Sequence, residues 1–247
     1  MQIKNEISLY DMIGFIADIQ TSFTENFKEL ENKFNWQVTD ARLQVFFNCS
    51  DLAANSRLSL SLLGYSKKQL FDQEWWGEWA CYDISRAFTR IPDFGLYVND
   101  KCRQLTHRTQ EQLLVTTQIY IEAFIRNLAK QHSVKEDIFW DLRKSFLIGT
   151  LGFTSDELKP LTVYQHLKNT LHNMGLHNNP KYPELEFDID GCQFLFKQDE
   201  GVKIGWEHVR GLIIANSDLL KRIVTHQKVC SLPEFFHKNV VVLRDGD

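Results

Sequence analysis

Four polar residues of differing chemistry lie close together: Lys168, Asn169, His172 and Asn173. On a helix, Lys168 and His172 stand one turn apart on one face, and Asn169 and Asn173 repeat that spacing one step round. An imidazole titrates near neutrality and can move the proton of a ribose 2′-hydroxyl. A neighbouring ammonium and carboxamide donors can stabilise charge building on a phosphorane. The set suits phosphoryl transfer within RNA with no metal. A plainer account stands beside it: His172 hydrogen-bonds locally while Lys168 and the asparagines are solvated.

Other candidates read more quietly. Glu122 sits between Ile121 and Ala123 in an otherwise apolar stretch and is a candidate to support the histidine from a neighbouring helix, although an exposed or hinge-facing glutamate is the plainer reading. Arg126, one turn further on, can simply pair with it. His166, His172 and His177 fall at gaps that share no helical face, so no metal site is expected. Arg143 and Lys144 form a small basic spot of the kind usually solvated. Trp75, Trp76, Trp79 and Tyr82 have helical spacing and read as core or interface before they read as a base-stacking platform. P-loop, G-x-G-x-x-G, G-x-S-x-G, H-E-x-x-H and EF-hand patterns are absent, and no cofactor is implied.

The chain bounds these readings. With 247 residues, a 43% hydrophobic fraction and 18 Phe, it can bury a real core. A formal charge of −4 gives no global basic field, which argues against a non-specific DNA binder. Five cysteines, an odd number without a C-x-x-C pair, point to free thiols in a reducing cytoplasm. No apolar run approaches the ~18–20 residues that span a bilayer, and the N-terminus has no signal-peptide pattern.

The elements that must position the quartet are mostly helices. Apolar residues at Ile13, Ile16, Ile19, Phe23, Phe27, Leu30 and Phe34 form one helical stripe. Thr39-Asp40 reads as an N-cap opening a second helix to about Leu63. A third helix is expected over Glu74 to Arg90, a loop between Asp93 and His107, and helices over 108–131, 134–149 and 161–175. Leu185, Phe187 and Ile189 then alternate with acidic residues, Asp190-Gly191 makes a hairpin turn, and Phe194 and Phe196 return. Val202-Lys203-Ile204 suggests a third strand, and a last helix starts near Trp206. The expectation is a mainly α helical bundle with a small β-hairpin or meander, at about 184–204, inserted before the C-terminal helix. Residues 1–100 form an N-terminal helical region, either a separate unit or part of the same bundle, and residues 101–247 the domain carrying the quartet.

The segment Lys168-Asn169-Thr170-Leu171-His172-Asn173-Met174-Gly175 resembles the R-N-x-x-H-N-x-G signature of the HEPN superfamily, helical bundles found in prokaryotic toxin and phage-defence systems. Upstream, Ile119-Tyr120-Ile121-Glu122-Ala123-Phe124-Ile125-Arg126 resembles the long helix that precedes the motif helix in that family. The hairpin and terminal helix resemble the tail of one subgroup, so the similarity covers about residues 108–228. It implies a metal-independent endoribonuclease working as a homodimer on RNA, with His172 catalytic, Asn169 the polar residue that follows the family's arginine and Lys168 in that arginine's place. Asn173 and Glu122, read from their own positions, are the supporting residues. An antitoxin or nucleotidyltransferase-like partner is implied as well. Lys168 departs from the pattern, standing where the family has arginine; an ammonium lacks the planar fork that grips phosphate. That departure and the acidic net charge leave a second expectation: a non-catalytic interaction or nucleotide-binding module of the same fold.

Overall fold

The structure is a computed structural model that describes residues 7–72, 75, 93–173 and 175–236, with the side chains of residues 67 and 172 outside the description. The helix expected over Glu74 to Arg90, with its tryptophan cluster, lies outside the described residues.

Helix α1, Leu9–Phe34, opens with a capping box: Ser8 Oγ accepts from the Asp11 N–H, and the Asp11 carboxylate accepts from the Ser8 N–H. Its stripe buries Ile16, Ile19, Phe23 and Leu30, and it ends on Asn35 in the left-handed region. Asp40 caps α2, Ala41–Tyr65, by accepting from the Arg42 N–H. A short helix α3, Lys67–Leu70, follows.

The expected loop at 93–107 is instead the first part of α4, one helix over Phe94–Gln131. Between Phe94 and Arg108 only Val98 is buried, so no apolar stripe announces it. Local pairs support this stretch: the Asp93 cap on the Leu96 N–H, Arg103 and Gln104 on Asp100, and His107 beside Glu111. The 100/101 position lies within this helix.

Beyond α4, a turn of α-helix (α5, Phe139–Leu142) runs directly into a π-helical segment, Arg143–Ile148. The π register is closed by the Gly149 N–H bonding to the Lys144 carbonyl, and a Cβ at Gly149 would lie 2.7 Å from the Ser145 carbonyl oxygen. The motif helix, α6, spans Lys159–His172 with a proline in its first turn.

Strands β1 (Glu184–Ile189) and β2 (Cys192–Lys197) pair antiparallel, with Ile189 opposite Cys192 across the Asp190-Gly191 turn. Both turn residues have positive φ, as a two-residue hairpin loop of this twist requires. The expected third strand at 202–204 does not form. Its place is taken by pairing between the chain after α6 and the turn after β2. Leu176 bridges Gly201, the His177 N–H bonds to the Glu200 carbonyl, and the Asp199 N–H bonds to the His177 carbonyl. Helix α7, Trp206–Thr225, and a short α8, Gln227–Cys230, complete the described elements.

This is the mainly α fold with a small hairpin that the sequence implied. One contiguous core joins Ile19 and Phe23 of α1, Phe46 of α2, Phe124 of α4, Tyr164 of α6, Phe196 of β2 and Leu220 of α7. No described helix is long and apolar enough to cross a membrane.

Candidate functional site

Tyr164 and Leu167 are buried, and they fix the roll of α6 against the core. That roll turns Lys168 toward α4, where its Nζ lies 2.9 Å from Glu122 Oε2. Glu122 Oε1 accepts from Arg126 Nη2 at 2.8 Å and Nε at 3.2 Å. Arg126 Nη1 in turn donates to the carbonyls of Asp137 and Glu136, tying α4 to the segment ahead of α5. The Glu122 side chain retains 13% of its exposure against 27% for Lys168, so the carboxylate is the inner member and the ammonium the outer. Two cations share one carboxylate, leaving the cluster one positive charge.

Asn169 is exposed, and its Oδ1 accepts from Gln165 Nε2. Asn173, also exposed, caps α6, its N–H directed at the carbonyls of Asn169 and Thr170. Gly175 then takes a φ of +84°, and its N–H bonds to the Thr170 carbonyl. The glycine of the motif thus stops the helix in a conformation that a side chain would strain. His172 is the last residue of α6; its side chain lies outside the described residues. The structure therefore brings Lys168 onto Glu122 and leaves the carboxamides of Asn169 and Asn173 on the surface. The carboxylate of Glu122 is engaged by two cations. A cleft of about 380 Å³ opens beside Arg126, between Lys130, Lys135, Asp137 and Leu142. A larger one of about 900 Å³, between Leu9, Leu63, Leu96 and Trp206, holds none of the motif residues.

Two findings were not visible in the spacing. His166 and His177 do meet, with ring centroids 5.9 Å apart, because the turn at Gly175 folds His177 back over α6. Both are buried, and His177 Nε2 lies 2.9 Å from the Tyr182 carbonyl oxygen. Burial, helped by His177 and Arg143, holds the His166 imidazole down at a pKa of about 4, so it is neutral at physiological pH. Among the described residues no group of three or more metal-ligating side chains assembles.

The second finding is Arg143. It is buried, while Lys144 beside it is exposed, so the two do not form a surface spot. Its guanidinium lies 4.0 Å from the Trp140 ring centroid, and Nη1 donates to the Thr162 hydroxyl. Its position on the π-turn directs it inward, a register that helical spacing does not anticipate.

The fold and this cluster together define a mainly α helical bundle with an ion cluster where the motif helix meets the long helix. Compared with known proteins, the chain matches no family model, no curated protein and no solved structure.

Proposed function

We propose that the chain is a HEPN-like, metal-independent endoribonuclease of toxin or phage-defence type, cytoplasmic and working as a homodimer. The observation that carries the reading is the end of α6. There a carboxylate holds Lys168 in place at 2.9 Å, and two carboxamides and the motif histidine follow within the next turn. In this reading the ribose 2′-oxygen attacks the adjacent phosphorus and the 5′-oxygen of the next nucleotide leaves. His172 moves the proton, while Lys168 and Asn169 hold the phosphate oxygens. Glu122 and Asn173 are positioning residues, Glu122 acting through Lys168.

A second reading, a non-catalytic interaction or nucleotide-binding module of the same fold, is favoured by one observation. Glu122 already claims the only lysine of the motif, which an active phosphate clamp would want free. Purified protein incubated with mixed RNA in chelator, beside His172→Ala and Lys168→Arg, separates the two. The nuclease reading expects cleavage that falls by roughly 10²–10⁴-fold in His172→Ala. Cleavage undiminished in that variant refutes it. No cleavage by the wild type or by Lys168→Arg leaves the module.

A further inference from the structure

Two arginines are buried among the described residues, and they are not alike. Arg42 and Arg143 each lie 4.0 Å from the ring centroid of a tryptophan, Trp36 and Trp140 respectively. Arg42 is saturated: it grips Asp40 through two bonds of 2.8 and 2.7 Å and donates to the carbonyls of Val229 and Leu232 at 3.0 Å each. Arg143 has the same aromatic platform and almost nothing else. Among the described residues its one hydrogen bond goes to the Thr162 hydroxyl, its Nε is buried without a partner, and no carboxylate pairs with it. An arginine cannot shed its charge to escape burial, as a lysine or histidine can. A ring face offsets only part of the cost of burying a guanidinium, and buried charges are ordinarily paired.

The surroundings suit an acceptor from outside the chain. His166, its ring 6.3 Å from that of Trp140, is neutral and makes no side-chain hydrogen bond among the described residues. Tyr182 is exposed, its ring 6.4 Å from that of His166, and Lys181 lies at the rim with Nζ 5.4 Å from the Tyr182 centroid. The cluster thus runs from an inner unpaired guanidinium, past two aromatic rings and an imidazole, to an outer lysine. A guanidinium fork matches the paired oxygens of a phosphate, and the rings offer faces on which a base can stack.

We propose that Arg143, with Trp140, His166, Tyr182 and Lys181, forms a site for a phosphate group carried by a nucleotide or an RNA strand, separate from the Lys168–Glu122 cluster. The site does not depend on the ribonuclease reading.

Thermal unfolding of the full chain tests it, with three probes at matched ionic strength: inorganic phosphate, adenosine 5′-monophosphate, and a 2′-O-methyl hexaribonucleotide that cannot be cleaved through its 2′-oxygen. The wild type is expected to gain roughly 5 °C at saturating probe. Arg143→Met should lose that gain while its ligand-free Tm stays at or above the wild type, because an unpaired charge has been removed. His172→Ala should keep the gain, so the failure of the catalytic reading and the failure of this one are told apart. A gain with phosphate and the mononucleotide assigns a free nucleotide; a gain with the oligonucleotide alone assigns the RNA backbone. The proposal is overturned if no probe shifts the wild type or if Arg143→Met shifts equally. It is also overturned if ligand-free Arg143→Met melts well below the wild type, which would make Arg143 a structural residue like Arg42.

Discussion

The Asp40–Arg42 pair invites a perturbation whose size follows from its geometry. Both side chains have 0% exposure. Arg42→Met deletes the charge and both bonds to Asp40, and it strips the Val229 and Leu232 carbonyls of their donor. Breaking one partner out of a buried ion pair costs about 3–5 kcal/mol. Two carbonyls left without a donor add about 1 kcal/mol each. Methionine fills much of the volume and keeps contact with Trp36, which offsets about 1 kcal/mol. The expected loss is therefore about 4–6 kcal/mol, a fall in Tm on the order of 10 °C or more for a chain of this size. Asp40→Asn should cost less, because asparagine still caps α2, and the double variant should cost less than the sum, because no lone charge stays buried. Urea unfolding followed by circular dichroism reads all three. Limited proteolysis should show new cleavage near residues 229–236, the segment that Arg42 and the Ala41 N–H bond to the Phe235 carbonyl hold down. An Arg42→Met variant within about 1 kcal/mol of the wild type would refute the reasoning.

Stability should fall on acidification. The His166 pKa, about 4 in the folded chain against 6.5 for the free group, is lowered, so the unfolded chain binds the proton more tightly. The contribution is intact above pH 6.5 and is lost as pH falls toward 4, by roughly 2–4 kcal/mol; a Tm flat over that range, or one falling equally in His166→Phe, contradicts it. Cys49, fully buried with its thiol pushed up by that burial, should resist a maleimide in the folded protein while half-buried Cys102 and Cys230 react. Peptide mass mapping that finds Cys49 labelled as fast as those two would refute the burial. Gly175→Ala, at a φ of +84°, should cost about 1–2 kcal/mol in urea unfolding; an unchanged midpoint would show that the helix end does not need the left-handed turn.

Periodicity exposed what packing dictates. The α1 stripe, the Asp40 cap, the Asp190-Gly191 turn and the start of α7 at Trp206 each follow from a local pattern that burial then enforces. The first part of α4 escaped because that logic is missing there: its residues face solvent, and i,i+3 and i,i+4 polar pairs sustain it in place of an apolar stripe. The third strand does not form because Val202 and Ile204 are core-facing without being paired, while the pairing partner of the post-hairpin turn comes from the chain beyond Gly175. In the candidate site, Glu122 and Arg126 are legible as an i,i+4 pair. Their link to Lys168, 46 positions away, is tertiary and leaves no local trace. Arg143 was hidden by its neighbour: next to exposed Lys144 it reads as surface, and only the π register turns it inward.

The Glu122 cluster has an asymmetry that bears on whether Lys168 can serve a phosphate at all. Arg126 holds Oε1 through two nitrogens and is itself anchored to two backbone carbonyls, whereas Lys168 holds Oε2 through one bond and is the more mobile side chain by chemistry. If Lys168 swings away, Glu122 keeps a cation, so no buried carboxylate is left unpaired and the large penalty for breaking an ion pair is avoided. If Arg126 were the one to leave, its two backbone acceptors would be orphaned as well. Lys168 is therefore the detachable partner, and the cost of transferring it from Oε2 to a phosphate oxygen is the difference between two charge-assisted bonds, not the loss of one. A lysine at position 168 is thus compatible with a phosphate-binding role because Glu122 and Arg126 already supply the fixed part of the cluster.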